Sequence, residues 1–488
     1  MKLCLLLLLV GCHPPDDSGL GPQDTGGPEP GGACEESVQQ CPMGQGCHDE
    51  VCGACEEASE CHDLEGCHDG ACGACIDATD CRDGEACREG YCLPEAPPVW
   101  QLTLDPVSLA EMEAHPQEDI WAPCTLEAGG TLYTEELQVR LYGGTTRSYP
   151  KRSFMIEFPE DADNPGFSRK ITLRAEYNDA SFLRTVLGYE SFRRLTSLPT
   201  PRTRYIDLFL NGERYGLMVD VERMRGRFLE ERGRDREAAM YEAYDDDKQG
   251  AMTPNGTLEE YREFYERQTG DESDYTDLAA LIEDHLALDW QASLVDEGAA
   301  LDRTSQVVRL SAYRRYLAVM AALQNQDHVT NNFMFSWQSV GGEPAAWEVY
   351  PLDLDLTFGC LWDADAQDTI CDSYRADGWW LNGLYPDGAV VGVDEVWANL
   401  LIHLTLTQPD SLAAYEDELC AVLASDFWNG GLQALALAIR QTVAPVVAVD
   451  INDRSATEAD YIAAWEEVAG FPAERRDYLE EALGCSAR

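Results

Sequence analysis

The sequence predicts an α+β protein in which a strand-rich segment precedes a mostly helical lobe, with small disulfide-rich repeats in front of both. Three observations lead to this prediction. Twelve cysteines fall between Cys34 and Cys92 at a nearly constant spacing. After Pro97-Pro98, alternating apolar runs separated by turn signals predict strands. Residues 394–440 and 456–484 carry apolar positions at helical spacing.

Residues 1–12 predict a lipoprotein signal peptide. Lys2 precedes a leucine run too short to span a bilayer, and Leu9-Val-Gly-Cys12 resembles a bacterial lipobox. Cleavage before Cys12 would leave an acylated N-terminus, so we expect an exported chain, lipid-anchored at Cys12 on the periplasmic or outer face of a bacterial membrane. An ordinary secretion signal is the alternative. Residues 13–33, rich in Pro, Gly and Asp, predict a flexible linker.

Residues 34–92 form three cysteine-rich repeats, and from Cys55 the spacing recurs with a period of 20 residues. Units this short cannot bury a core without covalent cross-links. In an exported protein this predicts two disulfides per repeat, with three pairings open in each. The repeats would serve as a stalk or a contact surface. Zinc is the alternative, through Cys-x-x-Cys pairs and nearby histidines (Cys52, Cys55, Cys72, Cys75, His48, His62, His68).

Charge restricts the partners. The net charge is −54, from 89 acidic against 35 basic side chains, and only four of the latter are lysines. Such a field repels nucleic acid, so we expect no nucleic-acid partner, and it favours cationic ones. The alternative is that acidity only keeps an exported protein soluble.

The large domain is predicted over residues 97–488. The runs Val99–Leu104 and Leu137–Tyr142 predict strands, and a Gly143-Gly-Thr-Thr-Arg147 turn leads to Lys151 and a third strand. A glycine- and hydroxyl-rich turn beside a strand-borne lysine suits phosphate binding, although Gly-Gly is also common in plain hairpin turns. A helix is expected within Ser181–Leu195, and Asn211-Gly212 predicts a hairpin.

A core helix over 305–323 leads into the polar segment that contains the strongest candidate site. Asp327 and Asn332 stand five residues apart before a hairpin, and Asp353 and Asp355 follow it in a loop that ends at Gly359. Magnesium prefers carboxylate and amide oxygens, and phosphoryl transfer needs a carboxylate to orient the attacking hydroxyl. A solvated turn or a calcium loop is the alternative for the Asp-x-Asp element.

Five segments in this order resemble the CotH (spore-coat protein H) family of atypical protein kinases, over about residues 99–400. They are Pro150-Lys-Arg-Ser-Phe154 with its Gly-rich turn, Ser181-Phe-Leu-Arg-Thr185, the hairpin Leu210–Glu222, Asp327-His-Val-Thr-Asn-Asn332 and Pro351-Leu-Asp-Leu-Asp-Leu-Thr-Phe-Gly359. The resemblance implies a divergent protein-kinase-like two-lobe fold. It also implies transfer of the ATP γ-phosphate to serine or threonine in proteins, with Mg²⁺ or Mn²⁺ as cofactor.

Site roles follow from the resemblance, position by position. Asp327 would be the catalytic residue, and Asn332, Asp353 and Asp355 would bind the metal. Residues Lys151, Arg147 and Glu222 would contact the nucleotide. Two segments depart from the family pattern: Tyr142-Gly-Gly-Thr-Thr146 stands for Arg-Gly-Asn-Ser-Ser, and Arg184-Thr185 for Arg-Asn.

The predicted function is therefore that of a cell-surface protein serine/threonine kinase acting on a basic, serine-rich protein. Two alternatives remain open: a catalytically inactive surface interaction module of kinase-like fold, and a calcium-dependent adhesin. His328 is predicted to be structural. The acidic stretches 245–247 and 363–368 are read as solvated loops, with calcium binding as the alternative. Of five further cysteines, Cys360–Cys371 and Cys420–Cys485 are expected to pair, which leaves Cys124 over.

Overall fold

The computed structural model describes residues 39, 41, 43–48, 51–160, 162–244, 250, 252–254, 257–293, 296–325, 327–363, 368–371, 399–448, 450 and 457–485. The predicted signal peptide, the linker, Cys34 and the stretches 245–247 and 364–367 lie outside these residues. Among the described helices, none is both long and apolar enough to cross a membrane.

Each cysteine repeat is a short hairpin, and one-turn 3₁₀ segments, Ala58–Glu60 and Ala78–Asp80, lie between successive hairpins. In the second and third repeats the first cysteine pairs with the third and the second with the fourth, which resolves the open pairing. Because these sulfurs are consumed in disulfides, the zinc alternative is wrong for them. The hairpin strands are Gly46–His48, Val51–Gly53, Gly66–His68, Ala71–Gly73, Glu85–Arg88 and Tyr91–Pro94. The described bonds are Cys41–Cys52, Cys55–Cys67, Cys61–Cys72, Cys75–Cys87 and Cys81–Cys92.

The strand-rich segment forms an eight-stranded sheet that closes on itself, because Ala122–Ala128 also pairs with Gln138–Tyr142. Apolar residues alternate along its strands and point inward, where they form one core with Trp100 and Leu126. The short helix Pro106–Ala114 follows the first strand. The strand order is Gln138–Tyr142, Ser153–Glu157, Lys170–Arg174, Glu213–Val221, Thr203–Leu210, Val99–Leu104, Ala122–Ala128, Thr131–Tyr133.

The predicted hairpin at Asn211-Gly212 is confirmed. Both residues have positive φ, 52° and 85°, as a two-residue turn of this kind requires. The helix that precedes this hairpin runs from Arg184 to Leu195.

The second part of the domain combines helices with a four-stranded antiparallel sheet around a larger core. The predicted helix over 305–323 begins at Leu310, because Val308 instead forms a bridge with Trp347. The sheet order is Tyr265–Thr269, Met240–Ala243, Phe333–Gln338, Ala346–Pro351. The helices are Gly226–Glu230, Leu258–Phe264, Thr276–Ala279, Ala280–Leu286 (π), Ala287–Ser293, Glu297–Thr304, Leu310–Leu323, Leu400–Thr407, Pro409–Ala424, Phe427–Gly431 (π), Leu432–Val447 and Glu458–Leu483.

Disulfides also connect parts of the large domain. Cys420 and Cys485 are bonded, as predicted, and tie the last helix to Pro409–Ala424. Cys360 is disulfide-bonded and lies opposite Cys371 in the hairpin Cys360–Asp363/Asp368–Cys371, the register that the predicted pair needs. Cys124 is a buried free thiol.

The third repeat is packed against the helical part. Leu93 belongs to the large core, and the Tyr91 hydroxyl donates to the Gly431 carbonyl at 2.9 Å. The guanidinium of Arg194 lies 5.1 Å from the Tyr91 ring centroid. These contacts fix the third repeat to the helical part, and both roles considered for the repeats stay predictions. The α+β class and the disulfide-rich repeats are confirmed, and likeness to a kinase stays a prediction.

Candidate metal and phosphate site

The loop that carries Asp327 and Asn332 begins where helix Leu310–Leu323 ends. The helix is closed by Gln324 in the left-handed conformation, and the Asp327 N–H donates to the side-chain oxygen of Asn325 at 2.9 Å. Asn332, with φ 55°, donates from Nδ2 to Asp327 Oδ2 at 2.6 Å. This bond leaves the amide oxygen of Asn332 for another partner. The structure therefore brings the predicted residues Asp327 and Asn332 into direct contact.

The Asp-x-Asp loop is held against two helices. The Phe358 N–H donates to the Leu323 carbonyl at 2.8 Å, which ties the loop to the helix before Asp327. On the other side, a Cβ placed on Gly188 would lie 2.8 Å from the Leu354 Cβ. Gly188 thus allows helix Arg184–Leu195 to approach the loop closely. These contacts bring Asp353 and Asp355 to the same place as the Asp327 loop.

Arg174 lies between the two aspartates. One of its terminal nitrogens is 2.5 Å from Asp353 Oδ1 and 3.4 Å from Asp355 Oδ2, and its Nε is 3.3 Å from Glu176 Oε1. The two carboxylates are therefore placed to share one cation. Oxygen ligands in this arrangement fit Mg²⁺ or Mn²⁺, with Asn332, Asp353 and Asp355 as the residues that could hold it.

The electrostatics of Asp355 reflect the crowding of like charges. Burial raises the pKa of this carboxyl well above its usual range, the Asp353 charge adds to the effect, Arg174 opposes it, and Asp327 contributes in the same sense as Asp353. A divalent cation would relieve this repulsion. His328, by contrast, is buried, and its Nδ1 lies 2.9 Å from the Asn325 carbonyl. Burial lowers its pKa to about 4, which agrees with the predicted structural role.

Lys151 forms a buried ion pair away from these carboxylate contacts. Its ammonium lies 2.7 Å from Asp450 Oδ2 and donates to the Leu217 carbonyl at 2.7 Å, and both charged side chains are fully buried. The Leu217 N–H donates to the same Asp450 oxygen. Gly216, with φ 123°, makes room for it, since a Cβ there would lie 2.2 Å from Asp450 Oδ2. The predicted phosphate contact of Lys151 stays a prediction.

Glu222 and Arg147 are also engaged in ion pairs. Arg202 and Arg232 contact the Glu222 carboxylate at 2.8 and 2.6 Å. Burial alone would raise the pKa of Glu222, but the two guanidinium groups hold it below its usual value. Arg147 pairs with Asp119 at 2.7 Å. The described contacts do not join either residue to the Asp327 cluster.

Sequence reasoning did not assign Arg174, Glu176 or the roles of Arg184 and Thr185. Arg184 is buried, pairs with Asp179 at 2.5 Å, and donates through Nε to the Thr357 carbonyl of the Asp-x-Asp loop at 3.1 Å. The Thr185 hydroxyl donates to Glu176 at 2.8 Å. The sequence signal that could have identified Arg174 and Glu176 is the presence of charged residues at the end of an apolar strand, in Leu173-Arg-Ala-Glu176.

The described chain is thus an α+β domain whose carboxylate and amide side chains form a cluster suited to a divalent cation. Residues 139–479 match the family described as CotH kinase protein, so the chain belongs to the CotH family. Over 267 residues it is 27% identical to the inner spore coat protein H of Bacillus subtilis (strain 168). The aligned region covers 54% of this chain and 69% of that protein. The family resemblance read from the sequence is confirmed, and the match reaches further into the C-terminal helices than residue 400.

Proposed function

We propose that this chain is an atypical protein kinase of the CotH type, which transfers the ATP γ-phosphate to serine or threonine in a protein. Two contacts support this best: Asn332 bonds to Asp327, and Arg174 is shared between Asp353 and Asp355. The two pairs are linked because the Asp327 charge helps to raise the pKa of Asp355, after burial and the Asp353 charge. Carboxylate and amide oxygens at one place are what a metal–nucleotide site requires.

In this proposal the side chains divide the work. Asp327 accepts a hydrogen bond from the substrate hydroxyl and takes its proton, while Asn332 fixes the orientation of the Asp327 carboxylate. Asn332, Asp353 and Asp355 would hold Mg²⁺ or Mn²⁺, which neutralises charge on the phosphates when bound. Arg184 and the close approach at Gly188 keep the Asp-x-Asp loop in place.

The proposed location is a bacterial cell surface, with a lipid anchor at Cys12. Disulfides in the repeats support an oxidising compartment, and the name of the Bacillus subtilis relative places that protein in a spore coat. With a net charge of −54, the preferred substrate is a basic, serine-rich protein.

The test is transfer of label from γ-labelled ATP, with Mn²⁺ or Mg²⁺, by the full-length chain. The acceptors are a basic serine-rich protein and an acidic protein of similar serine content. We expect labelling of the basic acceptor by the wild type and none by Asp327→Asn. Equal labelling by the wild type and by Asp327→Asn would contradict the proposal.

A second candidate is a surface module without catalysis. The observation that favours it is that Arg174 already lies between the two aspartates and Lys151 is ion-paired with Asp450. This candidate predicts that neither metal nor nucleotide raises the unfolding temperature. Stabilisation by calcium alone, abolished by Asp353→Asn and Asp355→Asn, would instead indicate the adhesin.

A further inference from the structure

The outer face of the closed sheet carries charged side chains where it meets the helical part. Strand register places Arg140 opposite Met155, Met155 opposite Thr172, and Thr172 opposite Val221. Directly opposed residues share a face, and the face alternates along each strand. Tyr142 and Arg174 therefore lie on this same outer face. The intervening residues, such as Leu141 and Leu173, point into the core of the sheet.

Arg223 extends this face two residues beyond Val221. Its Nη1 lies 3.4 Å from the Met155 sulfur, and its backbone N–H donates to Ser168 Oγ. In the described residues its guanidinium contacts no carboxylate. This is unexpected in a chain with 89 acidic and 35 basic side chains, where the nearby Arg202 and Arg204 both pair with carboxylates.

Arg225 lies beside Arg223, and its guanidinium also has little contact with carboxylates. The nearest carboxylate partner is Glu266, at 3.8 Å, and Nη1 donates to the adjacent Met224 carbonyl. Burial lowers the pKa of Arg225 and the charge of Arg223 lowers it further, whereas the charges of Glu242 and Glu266 oppose this shift. Two half-buried guanidinium groups that repel each other are stabilised when an anion binds between them.

Arg223 lies on the sheet face that carries Arg174, which joins this face to the carboxylate cluster. Arg174, on this face, contacts both Asp353 and Asp355. Burial raises the pKa of the Tyr142 phenol on the same face, the charges of Arg223 and Arg174 lower it, and those of Glu242 and Asp353 raise it. Glu242 precedes Ala243, whose carbonyl accepts from the Asn332 N–H at 3.0 Å. Oxygen ligands for a metal and guanidinium donors for an anion thus lie next to one another at this face of the sheet. A metal-bound polyphosphate needs both.

We infer that Arg223 and Arg225, together with Arg174, bind the phosphate chain of the nucleotide, the role that the sequence assigned to Lys151. Guanidinium groups suit this role because each presents paired donors that match phosphate oxygens. The inference rests on the proposed function for the identity of the ligand, and on the contacts above for the residues.

The test is calorimetric titration of the full-length chain with inorganic tripolyphosphate and with ATP, each with Mn²⁺. Arg223→Gln and Arg225→Gln remove one charge each, and Arg223→Lys keeps it. Arg440→Gln is the matched control, because Arg440 is half-buried, stacks on Trp465 and pairs with no carboxylate of the described chain. Unfolding temperatures of all variants establish that each is folded.

We expect both glutamine variants to bind either ligand about ten- to a hundredfold more weakly. Arg223→Lys should fall between them and the wild type, and Arg440→Gln should match the wild type. Wild-type affinity in folded Arg223→Gln and Arg225→Gln would overturn the inference, and so would equal weakening by Arg440→Gln.

The two proposals fail separately. Arginine-dependent binding of tripolyphosphate without any transfer of label would retain the anion site and reject the kinase. Transfer of label at unchanged rate and affinity in both glutamine variants would retain the kinase and reject this anion site.

Discussion

The Arg174 guanidinium lies 2.5 Å from the carboxylate of Asp353, and the same nitrogen reaches Asp355 at 3.4 Å. A protein cation thus occupies the place between two carboxylates where a divalent metal would be shared. In the proposed site, Arg174 would compete with the metal for these carboxylates and would lie beside the phosphates of the nucleotide.

Arg174→Gln should make folding depend on metal. Without the guanidinium, the neighbouring carboxylates repel one another, so the unfolding temperature should fall, and Mn²⁺ should restore more of it than it adds to the wild type. Differential scanning calorimetry with and without Mn²⁺ measures this. Arg440→Gln, which removes a half-buried guanidinium elsewhere, is the control. An equal Mn²⁺ shift in wild type and Arg174→Gln would contradict the competition.

Lys151→Met separates a structural lysine from a phosphate-binding one. The change leaves the buried Asp450 carboxylate without its ammonium partner, which costs about 3–5 kcal/mol of unfolding free energy. The double variant with Asp450→Asn should recover much of that loss, because it removes the buried negative charge that Lys151 had balanced. Urea unfolding of both variants provides the measurement. A stable Lys151→Met that has lost only ATP binding would instead support the phosphate role.

Gly188→Ala should displace the Asp-x-Asp loop. The new methyl group would meet the Leu354 Cβ at 2.8 Å, and such overpacking costs about 1–3 kcal/mol. We expect weaker Mn²⁺ binding by a folded protein, measured by titration calorimetry. Gly470→Ala is the matched control, because a Cβ there meets nothing within 4 Å. Unchanged metal affinity in Gly188→Ala would show that the loop is not held from this side.

His62 should make docking of the repeats sensitive to acid. The buried imidazole lies 2.9 Å from the Cys41 carbonyl, and burial lowers its pKa to about 4. The unfolded chain therefore binds more protons between pH 6.5 and 4, so stability falls as pH falls through that window, by up to about 3 kcal/mol.

Hydrogen exchange of residues 55–92 at pH 7 and pH 4.5 measures this loss. His62→Gln, which keeps a donor without the titration, should remove the additional exchange at low pH. The same increase in wild type and variant would assign the pH response to other groups.

The elements of the site could be read from the sequence because each depends on local chemistry. The hairpin at Asn211-Gly212, in the strand-rich part, is one such case, because its two-residue turn needs positive φ at both positions and Asn and Gly adopt it readily. Asp327, Asn332, Asp353 and Asp355 stand within one stretch, so a single hairpin brings them together.

The cation partners could not be read in the same way. Lys151 meets Asp450 across a sequence separation of 299 residues, and Arg174 meets Asp353 across 179. No spacing rule predicts such pairs, because they depend on how the closed sheet packs against the helices. The closure of the sheet itself depends on one pairing between Ala122–Ala128 and Gln138–Tyr142, which alternating apolar residues do not specify.

The most direct test of the proposed chemistry is the initial rate of γ-phosphate transfer by the full-length wild type and by Asp327→Asn, at saturating Mn²⁺–ATP and with matched unfolding temperatures. If Asp327 takes the hydroxyl proton, the substitution should lower the rate by at least about a hundredfold and leave nucleotide affinity nearly unchanged. Equal rates in the two chains, or no transfer by the wild type, would contradict it.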